Sequence, residues 1–334
     1  MKGLNQNFQQ IIATSEQLFI GASVAVGMSA AITLPATAAG LTGAMPIGND
    51  YYLYDVNGSQ TYLNPSASLD SILQGNSSNP GGNIELFASS EKESGIAAFK
   101  SGQTTSISGK IGGQTLTLSS LNANDWFWDG SNINKNYGAN NFANKWFNEF
   151  WDKGATETVK TNGVTIQKNV TAQTKFGLKT QKINVSLNAA ESRAFAFDQF
   201  NLIGGFARSS DPNISYIYQD NSDINIGLAG HYDLKAFYTQ DSQYAWLAPY
   251  LVNGFQASEV VKYSYGDTTD YLYSFNATKS GLLETDGWSH NGNYEVKIAG
   301  AVQSKDVPEP ITGLVAAAGL GGAALRRMKK SQKS

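Results

Sequence analysis

The sequence predicts a mainly β chain: an antiparallel β-sandwich or jelly-roll-like domain with one amphipathic aromatic helix, flanked by an N-terminal signal helix and a short C-terminal hydrophobic helix. Three observations predict it. Apolar and polar residues alternate with period two along the middle of the chain, between Gly-, Asn- and Asp-rich turns. Charged residues make up only 15 % of the 334, against roughly 25 % in average soluble proteins. Asn, Ser, Thr, Gly and Tyr replace them, residues that suit strands and turns. Neither βαβ alternation nor a fixed-period repeat is visible, which points to antiparallel sheets.

The first element is an export signal. Lys2 provides a thin basic start, and Leu18–Leu34 carries no charge. Pro35 then precedes Ala36 and Ala38, the small-x-small pattern that a signal peptidase cleaves. The cut is expected after Ala38 or Ala39. Residues 1–38 are then the signal peptide and 39–306 the exported β-rich domain.

Strands are expected at 51–56, 83–88, 104–110, 114–120, 182–187, 214–219, 224–230, 259–266, 270–277 and 293–299. Between them, residues 158–167 read as a hairpin. Asn162-Gly163 is the preferred pair for a two-residue type I′ turn, which sets Val159 opposite Ile166 and Thr161 opposite Val164. The helix is expected over 140–154. Phe142, Trp146 and Phe150, with Phe147 and Trp151, form a broad stripe suited to packing on a sheet. Asn140 or Asn141 can cap its start, and Gly154 can end it. Nine asparagines fall within residues 122–148, which reads as a long loop entering that helix. Long loops without structure of their own are often functional.

The chain has no cysteine, so an exported fold must rest on core area, and thiolate chemistry is excluded. Only His231 and His290 are present, which excludes a three-His zinc site. His231 is expected at a strand end, satisfied by a backbone or Asp hydrogen bond, and His290 in a turn. No Gly-x-Ser-x-Gly elbow occurs. Asp125, Asp129, Glu149 and Asp152 flank the aromatic region, and a glycoside hydrolase needs two carboxylates across a cleft. Sequence spacing does not fix that separation. Oxygen ligands for calcium occur in turns at Asp55, Asn57 and Ser59, at Asp220 and Asp223, and at Asp267 and Asp270, without the twelve-residue EF-hand pattern. Each such turn is also explained by a side chain bonding its own backbone.

Trp126 and Trp128 alternate, so in a strand both rings face one way and could stack on sugar rings, with Asn and Asp nearby for hydroxyls. Tyr271, Tyr273 and Phe275 alternate likewise, as do Val261, Tyr263 and Tyr265, in a pattern that also fills sandwich cores.

The C-terminus has three parts. Val307-Pro308-Glu309-Pro310 is held extended by its prolines. Ile311–Leu325 is an apolar run of 15 residues, about 22 Å as a helix, short of the ~20 residues that span a bilayer. Arg326 and Arg327 open a basic tail that stays in the cytoplasm by the positive-inside rule. This order closely resembles the PEP-CTERM sorting domain of Gram-negative bacteria, including cyanobacteria. The resemblance implies a protein that an exosortase in the inner membrane recognises at Pro-Glu-Pro and separates from its hydrophobic tail, in systems that make exopolysaccharide and biofilm. Stretches such as "YGANNFANKWFN", "SDPNISYIYQD" and "IGLAGHYD" are similar to a cyanobacterial PEP-CTERM family; that likeness implies no activity.

Removing both ends deletes six of 24 basic residues but only two of 27 acidic ones, leaving a body of net charge −7. Such a body does not suit nucleic acid. The sequence therefore implies an exported cell-surface or matrix protein that contacts exopolysaccharide at Trp126 and Trp128. A glycan-acting hydrolase or a purely structural sheath component are the alternatives. No catalytic residue and no cofactor beyond the calcium candidates are implied.

Overall fold

A computed structural model describes residues 40–174, 177–240 and 245–301. The signal-cleavage residues Ala36, Ala38 and Ala39 lie outside that range, as do Val307, Pro308, Glu309, Pro310, Arg326 and Arg327. Among the described residues no helix is long and apolar enough to cross a membrane.

The chain begins with strands β1 (Thr42–Ile47), β2 (Tyr51–Asn57) and β3 (Gln60–Leu63), helix α1 (Leu69–Ile72), the short ladder β4 (Gly75–Asn76) and β5 (Asn79–Pro80), and β6 (Gly82–Leu86). Next come α2 (Glu93–Lys100), β7 (Ser106–Ile111), β8 (Gln114–Ser119), α3 (Ala123–Phe127), α4 (Phe142–Gly154) and α5 (Glu157–Asn162). Strands β9 (Val164–Thr174) and β10 (Gly177–Leu187) precede α6 (Ala189–Leu202), α7 (Gly205–Arg208), β11 (Asn213–Asp220), β12 (Asp223–Gly230) and α8 (Leu234–Gln240). A 3₁₀ helix (Ala245–Tyr250), β13 (Val261–Tyr265), β14 (Thr268–Leu272), β15 (Thr278–Lys279) and β16 (Gly292–Ile298) complete the described chain.

The fold is mainly β and antiparallel. One sheet has the order β1-β7-β8-β13-β14, and a larger one runs β15-β16-β12-β11-β6-β2-β3. A single core cluster takes inward residues from both: Ile107, Leu118 and Val261 from the first, Ile84, Ile226 and Tyr294 from the second. The alternation in the sequence accounts for this. In β16 Tyr294, Val296 and Ile298 are buried while Glu295 and Lys297 are exposed. In β13 Val261, Tyr263 and Tyr265 are buried, Lys262 and Ser264 less so.

A second core is aromatic and helical. Asn141 accepts a hydrogen bond from the Asn144 backbone N–H and caps α4, which ends at Gly154. Trp146 and Phe147 of α4 pack with Trp126, Phe197 and Phe206. Phe142 stacks on Tyr271 with centroids 4.2 Å apart, which joins α4 to β14.

The structure differs from the sequence reading in three places. Residues 157–162 form α5 instead of a strand, so Asn162-Gly163 is not a hairpin turn. Gly163 ends α5 at φ 76°, ψ −161°, and β9 pairs with β10, setting Ile166 opposite Val185 and Val164 opposite Leu187. Residues 123–127 are helical, so the Asn-rich stretch is not one long loop. Finally, α4 is one of several helices. In α6 ("AAESRAFAFDQFNL") the apolar residues exceed a single narrow stripe: Phe195, Ala196 and Phe200 share one face and Phe197 is buried beside it.

Candidate functional site

Trp126 and Trp128 do not share a face. Asn122 and Asp125 form a capping box that starts α3, so the stretch winds as a helix. Trp126 turns inward, fully buried, and its indole N–H donates to Ser210 Oγ at 2.7 Å. Its ring packs on Phe142, Trp146 and Phe206. The expectation that Trp126 meets a glycan is thereby corrected: a ring in the core has no free face to stack on. Trp128, the residue after α3, is 53 % exposed.

The carboxylates around this region hold structure together. Asp125 is ion-paired with Lys262 at 2.7 Å, and Glu149 accepts from Tyr273 Oη at 3.1 Å. Asp152 pairs with Arg193. Asp129 accepts from the backbone of Ser131 and Asn132 and from Asn134 Nδ2, and these bonds hold its carboxyl below the usual range. The calcium candidates are engaged likewise. Asp55 accepts from Val56 N and Asn64 Nδ2, and Asp270 from Tyr271 N. Asp220 accepts from Asn221 Nδ2, while Asp223 holds Lys297 and the Gly300 N–H. Asn57 and Asp267 fall at the β2–β3 and β13–β14 turns. Among the described residues no three His, Asp or Glu side chains are placed to hold a metal ion.

A different carboxyl cluster sits where the two sheets meet. Glu85 is the penultimate residue of β6, Asp211 precedes β11, and Glu259 precedes β13. Cross-strand pairing sets Asn213 opposite Glu85. Asn213 then donates to Glu259 Oε2 from its backbone N–H at 3.0 Å and its side chain at 3.3 Å, so Glu259 ties one sheet to the other. Ser90 Oγ donates to Asp211 Oδ2, and Asp211 Oδ1, buried, has no hydrogen-bond partner. Tyr54 Oη donates to Glu85 Oε2 at 3.1 Å.

These surroundings disfavour charge. Burial and then the charge of Glu259 push Asp211 well above the carboxylate range. Burial, then Glu85, raises Glu259 to about 8. Burial raises Glu85 to about 7 against the opposing Tyr54 hydrogen bond. Burial and mutual proximity therefore favour the protonated forms of these carboxyls near neutrality. Sequence reasoning missed it. Glu85 lies between Ile84 and Leu86, an acid inside a buried strand, and that was its one local signal. Asp211 and Glu259 gave none, because only the fold brings them near.

The histidines flank this face. His231 follows β12, with Nδ1 at 3.3 Å from the Trp288 carbonyl oxygen, as the sequence suggested. His290 adopts φ 61° and is buried, with Nδ1 2.8 Å from Thr61 Oγ1 and its ring edge-on to Tyr54. Burial holds it neutral, lowering it to about 4.

On the helical side, α4, α6 and the 3₁₀ helix enclose a cavity of about 490 Å³ lined mainly by aromatic and aliphatic carbon. Comparison of the chain with protein-family models, with curated proteins and with solved structures returned no match. What the geometry defines is thus a class: a mainly β, antiparallel chain with an aromatic helical annex and a buried carboxyl cluster.

Proposed function

We propose that the chain is an exported cell-surface or extracellular-matrix protein, processed by a signal peptidase and an exosortase, whose two-sheet sandwich contacts exopolysaccharide through Trp128. The order Pro-Glu-Pro, short apolar run, basic tail carries the reading. A 15-residue Gly- and Ala-rich helix is a marginal span, suited to holding a substrate at the inner membrane until it is cut. Thereafter the body resides at the cell surface or outside. Trp128 is about half exposed, its bridge to Ile133 brings Asn132 and Asn134 alongside, and an indole with nearby amides suits sugar rings. Glycan-array binding of the purified chain, compared with Trp128→Ala, tests this. Binding lost in the variant supports the contact, whereas no binding by the parent leaves a purely structural sheath component.

One observation favours a second reading. Glu259 and Glu85 both raise the proton affinity of Asp211, and Glu85 that of Glu259, as the acid of a glycan hydrolase requires. Release of reducing ends from bacterial exopolysaccharide, abolished by Glu259→Gln, distinguishes an enzyme from a binder.

A further inference from the structure

The cavity on the helical side lies apart from Trp128 and from the carboxyl cluster, and neither function uses it. One face of α6 forms a wall: Phe195, Ala196, Gln199, Phe200 and Ile203 recur at helical spacing. Phe147, Phe150 and Trp151 of α4 oppose it, with ring centroids of Phe147 and Phe150 5.7 and 5.5 Å from Phe200. Val164 and Ile166 of β9 and Tyr250 and Leu251 close the sides.

The lining has a definite chemistry. Among the described residues the lining includes no Asp, Glu or Lys, and the charged residue it does include, Arg208, pairs with Glu91 at 3.6 Å. The Ser192 hydroxyl accepts from Val164 N and donates to Leu187 O, so it is satisfied within the fold. Gln167 and Gln199 add amides, and Thr165, Tyr238 and Tyr250 hydroxyls, to a surface that is mostly carbon. Ligand sites have this character: concave, ~300–1,000 Å³, apolar, with a few polar groups that orient the guest.

We propose that this cavity binds an uncharged apolar molecule of roughly 15–20 carbon atoms, a long alkyl chain with at most one hydroxyl or amide at its end. Size sets the carbon number, because a cavity of ~150 Å³ accepts benzene and this one is about three times larger. Charge sets the neutrality, since an ammonium would meet no carboxylate among the described lining residues, and Arg208 already pairs with Glu91.

The test titrates the full chain with the neutral dye N-phenyl-1-naphthylamine and displaces it with 1-hexadecanol or hexadecanoate. One dye per chain is expected, displaced by the alcohol at least as well as by the acid, with a melting temperature that rises with ligand concentration. Ala196→Trp, which fills the cavity, should weaken dye binding at least tenfold. Ile203→Trp does the same at the rim, where Ile203 is 41 % exposed and a larger ring is tolerated by the fold. Circular dichroism confirms that each variant is folded. Absence of dye binding, or binding unchanged in both folded variants, overturns the site. Displacement by hexadecanoate tenfold better than by the alcohol overturns the neutral ligand.

Discussion

Trp126 and Trp128 are two residues apart and serve opposite ends. Trp126 fills the aromatic core and donates to Ser210, so Trp126→Ala should cost about 3–5 kcal/mol in chemical denaturation. Trp128→Ala should change stability by no more than ~0.5 kcal/mol while removing glycan binding. The contrast between the two variants is the prediction. If Trp126→Ala proves as mild as Trp128→Ala, the helical turn that separates the rings is wrong. Such a separation is invisible in spacing alone, because i and i+2 share a face in a strand and diverge in a helix. The capping box between Asn122 and Asp125 was the local signal for the helix.

At the scale of elements, Gly163 shows a residue read correctly as special and placed in the wrong motif. It ends α5 in a backbone region open to glycine, and a Cβ there would meet the Leu187 carbonyl oxygen at 1.9 Å. Gly163→Ala should therefore destabilise by more than the ~1–3 kcal/mol of a strained backbone alone, measured by thermal melting. Asn162-Gly163 favours a tight turn, but Val159 finds a place in the aromatic core, and tertiary burial outweighs the local preference. The α4 cap is simpler. Asn141→Ala should lower stability by about 1 kcal/mol, since the Asn144 N–H loses its acceptor. Strands β13 and β16 were legible because buried and exposed residues alternate along them; α6 was not, because Phe197 is buried off the face that carries Phe195, Ala196 and Phe200.

The whole molecule integrates the buried titrations. Glu259 and Glu85 bind protons more tightly folded than unfolded. Their contribution is complete below pH 4.5 and is lost as pH rises towards about 8 for Glu259. His290 acts oppositely: held neutral, it contributes fully above 6.5 and its contribution is lost as pH falls towards about 4. Stability should thus peak on the acidic side of neutrality. Glu259→Gln should flatten the alkaline fall, and His290→Asn, which tolerates the left-handed backbone, should flatten the acid one. Urea titrations from pH 4 to 9 read both slopes; an unchanged alkaline slope in Glu259→Gln removes the buried-proton account. For the exported form, intact mass should lack the residues after Pro310, and a product retaining that tail rules out the proposed sorting.

By itself the sequence determined the β character, the strand positions and the capped aromatic helix, because alternation and capping are local chemistry. The proposed sorting order at the ends rests on the sequence alone, since contiguous residues spell it. Only the tertiary structure decided which aromatic rings are core, that 157–162 coils into a helix, and that Glu85, Asp211 and Glu259 share one environment. Those outcomes depend on contacts between residues up to 174 positions apart (Glu85 and Glu259), and no local pattern encodes a distance in space.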